Sequence, residues 1–128
     1  LEAADLAVIK VAPLGGVRLA LDLAEKLPIP VVVSSALDTS IGLAAGVTLA
    51  AALPDLPFAC GLDTGTLLGA DVVSSLLRSE NGVLSLGRAR KVLGSLSLVH
   101  SDVSSADRKV LRDSGWIERV EEMVEHLG

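Results

Sequence analysis

The chain has 128 residues, enough for one domain with a sizeable core, and a formal net charge of -5. That acidic balance argues against nucleic acid as a partner, because phosphate binding needs a basic face. Half of the residues are hydrophobic, yet there is one Trp, one Phe and no Tyr, so Ala, Leu and Val must fill the interior, as suits helices packed closely on a sheet.

The first element is "LAVIKVA", Leu6 to Ala12, a short apolar run ended by Pro13 and holding one charge, Lys10. Gly15 and Gly16 turn the chain. Val17, Leu19, Ala20, Leu23, Ala24 and Leu27 then recur at helical spacing until Pro28 and Pro30. "VVVSS", Val31 to Ser35, reads as a second strand. Asp38, Thr39 and Ser40 are all good caps for the apolar helix "IGLAAGVTLAAAL" that follows. That stretch is too short to span a bilayer, which needs about 20 residues, so no membrane partner is expected. Pro54 and Pro57 close the helix, "FACG" (Phe58 to Gly61) reads as a third strand, "GLDTG" as a loop, and Thr66 to Leu77 as a further helix.

After Leu77 the character changes. "RSENGVLSLGRARKVLGSLSLV" is punctuated by glycine, with a turn expected at Asn81-Gly82 between short extended runs. The end is helical in pattern. Ser104 or Ser105 caps a segment that Gly115 stops, and Trp116, Val120, Met123, Val124 and Leu127 lie on one stripe of the last one. Such a tail packs on something and carries no catalytic pattern. Cys60 is the only cysteine, which excludes an internal disulfide and fits a reducing cytoplasm. Leu1 to Asp5 lacks the basic region of a signal peptide, and the start without Met predicts a piece of a longer protein.

Alternating strands and helices predict parallel βαβ units, and the continuous apolar strands predict a sheet covered on both faces. Two architectures share this pattern, an open doubly wound sheet and a (β/α)8 barrel. Both place sites at the C-terminal ends of the strands, where Lys10, Ser34, Ser35 and the Gly61–Thr64 loop cluster.

Lys10 shares a strand face with Val8 and Ala12, opposite Ala7, Ile9 and Val11. A buried ammonium must meet a carboxylate, reach water or lose its proton. The plain reading is a lysine whose stem packs and whose head reaches solvent; the functional one is an acid/base or charge-stabilising group in a cleft. Ser34 and Ser35 either satisfy strand-end backbone groups or face a ligand. Gly61 either punctuates the chain or admits a ligand close to the backbone. Asp38 and Asp63 read as caps, Cys60 as a small core residue, and His100 and His126 as isolated. No D-x-D, H-E-x-x-H or C-x-x-C pattern occurs, so a metal site built from this chain alone is not expected, and "PLGG" lacks the spacing of a phosphate loop.

"IKVAPLGGV" and "PVVVSSALDTSIGLAAGVTLAAALPDLPFACGLDTGTLLGADVV" resemble the closing part of the o-succinylbenzoate synthases of menaquinone biosynthesis, closest to the actinobacterial type. These are enolase-superfamily lyases with a modified (β/α)8 barrel and a capping domain. The resemblance runs from about Ala7 to Val73. It implies that residues 1–77 supply barrel strands six to eight, that 78–103 form an extended return segment, and that 104–128 form helices returning toward the cap. Lys10 would end the sixth strand and lend positive charge to a dienolate, facing a second-strand lysine that removes the proton alpha to the carboxylate. Ser34, Ser35, Gly61 and Leu62 would line the pocket for a small carboxylate substrate. The resemblance also implies Mg2+ stabilising an enediolate, on acidic ligands from strands absent here, as are the second lysine and the cap. The chain alone is therefore expected to be inactive and to need the N-terminal half of the barrel. Two alternatives stand beside this reading. One is N-succinylamino acid racemisation on the same scaffold, with both lysines as bases; the other is a small non-enzymatic α/β binding module of flavodoxin-like type.

Overall fold

A computed structural model describes residues 4–96. Strand β1 (Ala7–Lys10) leads through the Gly15-Gly16 turn to helix α1 (Val17–Ala24). Strand β2 (Val31–Ser34) follows, then helix α2 (Ser40–Ala52), a 3₁₀ turn at Thr64–Leu67 and helix α3 (Leu86–Leu96). The strands pair in parallel, with Ala7 opposite Val31, Val8 opposite Val32, Ile9 opposite Val33 and Lys10 opposite Ser34.

That register decides which side chains share a face. Ile9, Val31 and Val33 are buried, and with Val11 they join Ala20 and Ala24 of α1 and Leu43, Ala44, Val47 and Leu49 of α2 in one core. The alternate positions behave differently: Val8 is 57% exposed, and Val32, Lys10 and Ser34 are only partly covered. Both helices therefore lie on one face of the sheet. The expected cover on both faces is absent within residues 4–96, because these residues supply helices for one side only.

The third strand is reduced to a single parallel bridge, Gly61 to Ser34. Pro54 and Pro57 constrain the approach, Pro57 has no N–H to give a ladder, and the chain bends at Phe58, which is half exposed. The sequence pattern predicts three strands; among the described residues the sheet has two. The bridge is nonetheless firm, with Gly61 N–H donating to Val33 C=O at 2.9 Å and Ser35 N–H donating to Gly61 C=O at 2.9 Å.

Two further expectations need correction. Thr66 to Leu77 is not a helix. Helix formation stops after the 3₁₀ turn, where Gly69, the β-branched Val72 and Val73 and the Ser74-Ser75 pair offer little propensity. Asp71 binds its neighbour's backbone instead, its Oδ1 accepting from Val72 N–H at 2.7 Å. Residues 78–103 are not extended throughout either. A tight turn at Asn81-Gly82 does form, with φ of 53° and 77° and mutual Glu80–Val83 backbone bonds of 2.9 and 3.0 Å. Those angles suit the Asn-Gly pair of a two-residue hairpin. Beyond it the chain becomes α3, whose buried Ala89 and Val92 pack it along α2 despite Gly87 and Gly94. Packing of an apolar stripe outweighs two glycines. The helices expected at 104–128 lie outside the described residues.

Candidate active site

Lys10 stands at the C-terminal end of β1 on the face that α1 and α2 leave open, beside its register partner Ser34. Its Nζ donates to Ser34 Oγ at 3.3 Å and to the Ser35 carbonyl oxygen. Ser34 Oγ also donates to the Ser35 carbonyl, at 3.3 Å. Among the described residues, this ammonium on an apolar strand is thus bonded to one hydroxyl and one peptide carbonyl, with no carboxylate in its hydrogen-bond set. These contacts hold its positive charge in place without neutralising it. The geometry suits stabilisation of a negative charge brought to the open face.

Gly61 adjoins this pair. A Cβ at residue 61 would lie 3.1 Å from Ser34 Oγ, so glycine keeps the approach to that hydroxyl clear. Ser35 points the other way. It is buried, its Oγ donates to the Gly61 carbonyl at 3.1 Å and meets Thr64 Oγ1 at 2.8 Å. What Ser35 presents to Lys10 is its carbonyl, while its hydroxyl is committed to the loop.

Leu62 is expected to line the same pocket, and its side chain does not. It is 5% exposed and packed on α2, where a Cβ added to Gly46 would come within 2.6 Å of its Cδ2. The alternation that sends Gly61 toward Ser34 sends Leu62 into the core. Leu62 does border a separate cavity of about 370 Å³, lined also by Val47, Cys60, Asp63 and Val83 and not by Lys10.

The caps are distributed differently from the sequence expectation. Asp38 accepts from Ala36 N–H at 3.0 Å and does not cap α2 through its side chain. Asp71 fills that role: its Oδ2 accepts from Ser40 N–H at 2.9 Å and from Ser40 Oγ at 2.6 Å. Ser40 Oγ in turn accepts from Leu77 N–H at 2.8 Å. A carboxylate at a helix N-terminus meets both unpaired N–H groups and the helix dipole. Asp63 bonds Ser79, with Oδ1 accepting from the backbone N–H at 3.1 Å and Oδ2 from the hydroxyl at 2.5 Å. The Ser79 hydroxyl, then its N–H, then the nearby Arg78 charge hold the Asp63 carboxyl below the ordinary carboxylate range. The residues missed from sequence are thus Asp71 and Ser79, while Thr64 belongs to the loop the sequence places at the strand ends without its contact to Ser35. Each acts through a contact more than ten positions away, which local pattern does not reveal.

Among the described residues no group of three or more His, Cys, Asp or Glu could hold a metal ion. The described residues do not fit a Mg2+ site. Nor is any helix of the described residues long and apolar enough to cross a membrane. His100 and His126 lie outside the described residues.

No family model matches the chain. Over 87 residues it is 64% identical to the o-succinylbenzoate synthase of Thermobifida fusca (strain YX), a stretch that makes up 68% of this chain and 27% of that protein. It is 62% identical over 71 residues to the o-succinylbenzoate synthase of Mycobacterium tuberculosis (strain ATCC 25618 / H37Rv), covering 56% of this chain and 22% of that one. A third relative, the o-succinylbenzoate synthase of Mycobacterium leprae (strain TN), is 55% identical over 86 residues, covering 67% and 25%. These likenesses bear out the resemblance read from the residues. The chain spans about a quarter of the length of the curated relatives it matches.

Proposed function

We propose that this chain is the C-terminal part of an o-succinylbenzoate synthase, a lyase of menaquinone biosynthesis. The reaction removes water from 2-succinyl-6-hydroxy-2,4-cyclohexadiene-1-carboxylate. A proton leaves the carbon bearing the carboxylate, the C6 hydroxyl departs, and the ring becomes aromatic. The observation that carries this reading is the placement of Lys10, together with the identity to relatives so named. Its ammonium sits at a strand end, on the uncovered face, held by two neutral oxygens.

Lys10 here supplies charge. As the proton leaves, negative charge develops on the substrate carboxylate, and an ammonium already oriented stabilises it without reorganising solvent. Ser34 keeps the ammonium aimed and, with the open backbone at Gly61, offers polar groups to the succinyl carboxylate. The base that takes the proton belongs to the remainder of the protein. So does any Mg2+, since the described residues hold no suitable cluster.

The one-sided sheet supports the barrel form of this proposal. In a (β/α)8 barrel, helices cover the outer face of the strands, and the inner face is closed by strands across the barrel. A slice of such a barrel bears helices on one side and leaves the other uncovered, as Val8 is here. The binding-module alternative calls for a complete sheet with protected edges, whereas β1 pairs only with β2 among the described residues. The partner of this chain is then the N-terminal half of the barrel with its capping domain, and the setting is cytoplasmic.

The test is the appearance of o-succinylbenzoate with the longer protein that carries this chain. Lys10→Ala should lower kcat by about 10²–10³-fold, the usual effect of deleting one preorganised charge-stabilising group. Lys10→Arg keeps the charge and loses the base. Retained dehydration in that variant supports an electrostatic lysine, and full activity in Lys10→Ala would refute the proposal. The 128-residue chain alone should show no turnover.

A further inference from the structure

Beneath the Lys10 contact lies a second layer of hydrogen bonds to which neither the resemblance nor the proposed reaction gives a role. Ser35 clamps Gly61 twice, its N–H at 2.9 Å and its hydroxyl at 3.1 Å both donating to the Gly61 carbonyl. With its only proton used there, Ser35 Oγ must accept from Thr64 Oγ1, 2.8 Å away. Ser35 is 3% exposed, so water does not readily replace that donor. Thr64 opens the 3₁₀ turn Thr64–Leu67, and the turn is seated on the core: a Cβ at Gly65 would lie 2.8 Å from Leu43 Cδ1.

From this arrangement we infer that Thr64 is a positioning residue for Lys10, acting through Ser35. Thr64 fixes the Ser35 hydroxyl on Gly61. Ser35 is then held at its N–H and at its side chain, and Asp38 Oδ2 holds the far side of the same peptide by accepting from Ala36 N–H at 3.0 Å, so that together these contacts set where the Ser35 carbonyl oxygen points. That direction is toward Lys10 Nζ. Remove the Thr64 donor, and the Ser35 hydroxyl is free to leave Gly61, so one of the restraints on the Ser35 carbonyl is lost. The hold of that carbonyl on the Lys10 ammonium then weakens. The inference rests on the proposed role of Lys10 and adds to it a residue on the loop after the bridge.

The experiment compares Thr64→Val, which keeps shape and removes the hydroxyl, with Thr64→Ser, which restores it. Two readouts are taken in the longer protein carrying this chain. One is the rate at which Lys10 is acylated by an amine-directed reagent, followed by mass spectrometry with Lys26 and Lys91 as internal references. The other is the division of any activity loss between kcat and KM. Thr64→Val should raise Lys10 acylation about 2- to 10-fold, the factor set by one hydrogen bond, and lower kcat more than it raises KM. Thr64→Ser should return both to the parent values. If Thr64→Val folds poorly, Ser35→Ala tests the same link, because it removes the hydroxyl that Thr64 holds. Unchanged Lys10 acylation in Thr64→Val and in Ser35→Ala would overturn the inference. Full activity in Lys10→Ala would instead overturn the functional reading beneath it, so the two failures are separable.

Discussion

The two faces of the small sheet follow opposite rules. On one, Ile9, Val31 and Val33 meet α1 and α2 and are sealed from water. On the other, Val8 and Val32 stand where a second layer would be expected, and Lys10 and Ser34 occupy the strand ends. The sealed face accounts for folding. The bare face holds the proposed chemistry, and none of the described residues covers its exposed Val8. A strand that alternates in exposure while staying apolar on both sides is therefore informative. It marks a sheet suited to cover on two sides and given it on one.

Core truncation gives the largest expected contrast between the faces. Leu43→Ala, beneath the sheet, should cost about 2–5 kcal/mol in urea unfolding of the 128-residue chain. Val8→Ala on the bare face should change the same measurement by less than about 0.5 kcal/mol. Repeated in the longer protein, Val8→Ala should cost about 1.5 kcal/mol, because covering the face buries the two methyl groups that the substitution removes. Equal, small costs for Val8→Ala in both lengths would show that nothing covers this face, and the barrel proposal would fall.

The next effect sharpens the comparison at the edge of the sealed face. Ser40 is 1% exposed and ties Asp71 to Leu77 across the start of α2. Ser40→Ala leaves the Leu77 N–H without its acceptor and Asp71 with one donor from residue 40 in place of two. The expected cost is about 1–3 kcal/mol in the same unfolding measurement. Ser34→Ala, on the bare face, should move stability by less than about 0.5 kcal/mol while impairing activity of the longer protein. Similar stability losses in both variants would erase the division between a structural and a functional serine.

Much of the candidate site is legible in the amino-acid sequence. Lys10 declares itself because a charge in an apolar run demands a partner, and period 2 places it opposite Ile9. Ser34 and Gly61 are legible as strand ends. The orientation of Leu62 is not, since its side depends on where the Gly61 bridge begins to pair, and a one-residue shift reverses every side chain. The irregular path from Leu68 to Ser79 escapes for a different reason. Its apolar residues mimic a helix, yet its polar backbone groups are satisfied by Asp63 and Ser40, which lie far back in sequence. Helix α3 is hidden by Gly87 and Gly94, whose penalty is real locally and is outweighed by packing on α2. Tertiary contacts decide each of these cases.

The smallest effect concerns the clasp between Asp63 and Ser79, which ties the loop after the bridge to the hairpin that precedes α3. Asp63 is exposed, so solvent screens the interaction and its influence is local. The sign follows from the direction of its shift. A carboxyl held below its ordinary range in the folded chain contributes stability that is present above the unfolded value of about 4 and is lost as pH falls through the lowered folded value. Amide exchange at Ser79 should thus stay protected, relative to neighbouring amides, from about pH 7 down to about 4, and lose protection only under stronger acid. Asp63→Asn should abolish that acid-dependent step and leave the protection of β2 amides unchanged, because the bridge at Gly61 is made by backbone groups that do not titrate. Loss of protection at Ser79 already near about pH 6 would mean that another group governs the clasp, since a lowered carboxyl stays ionised there. In that case the tie between the loop after the bridge and the hairpin before α3 would have to be sought in another group.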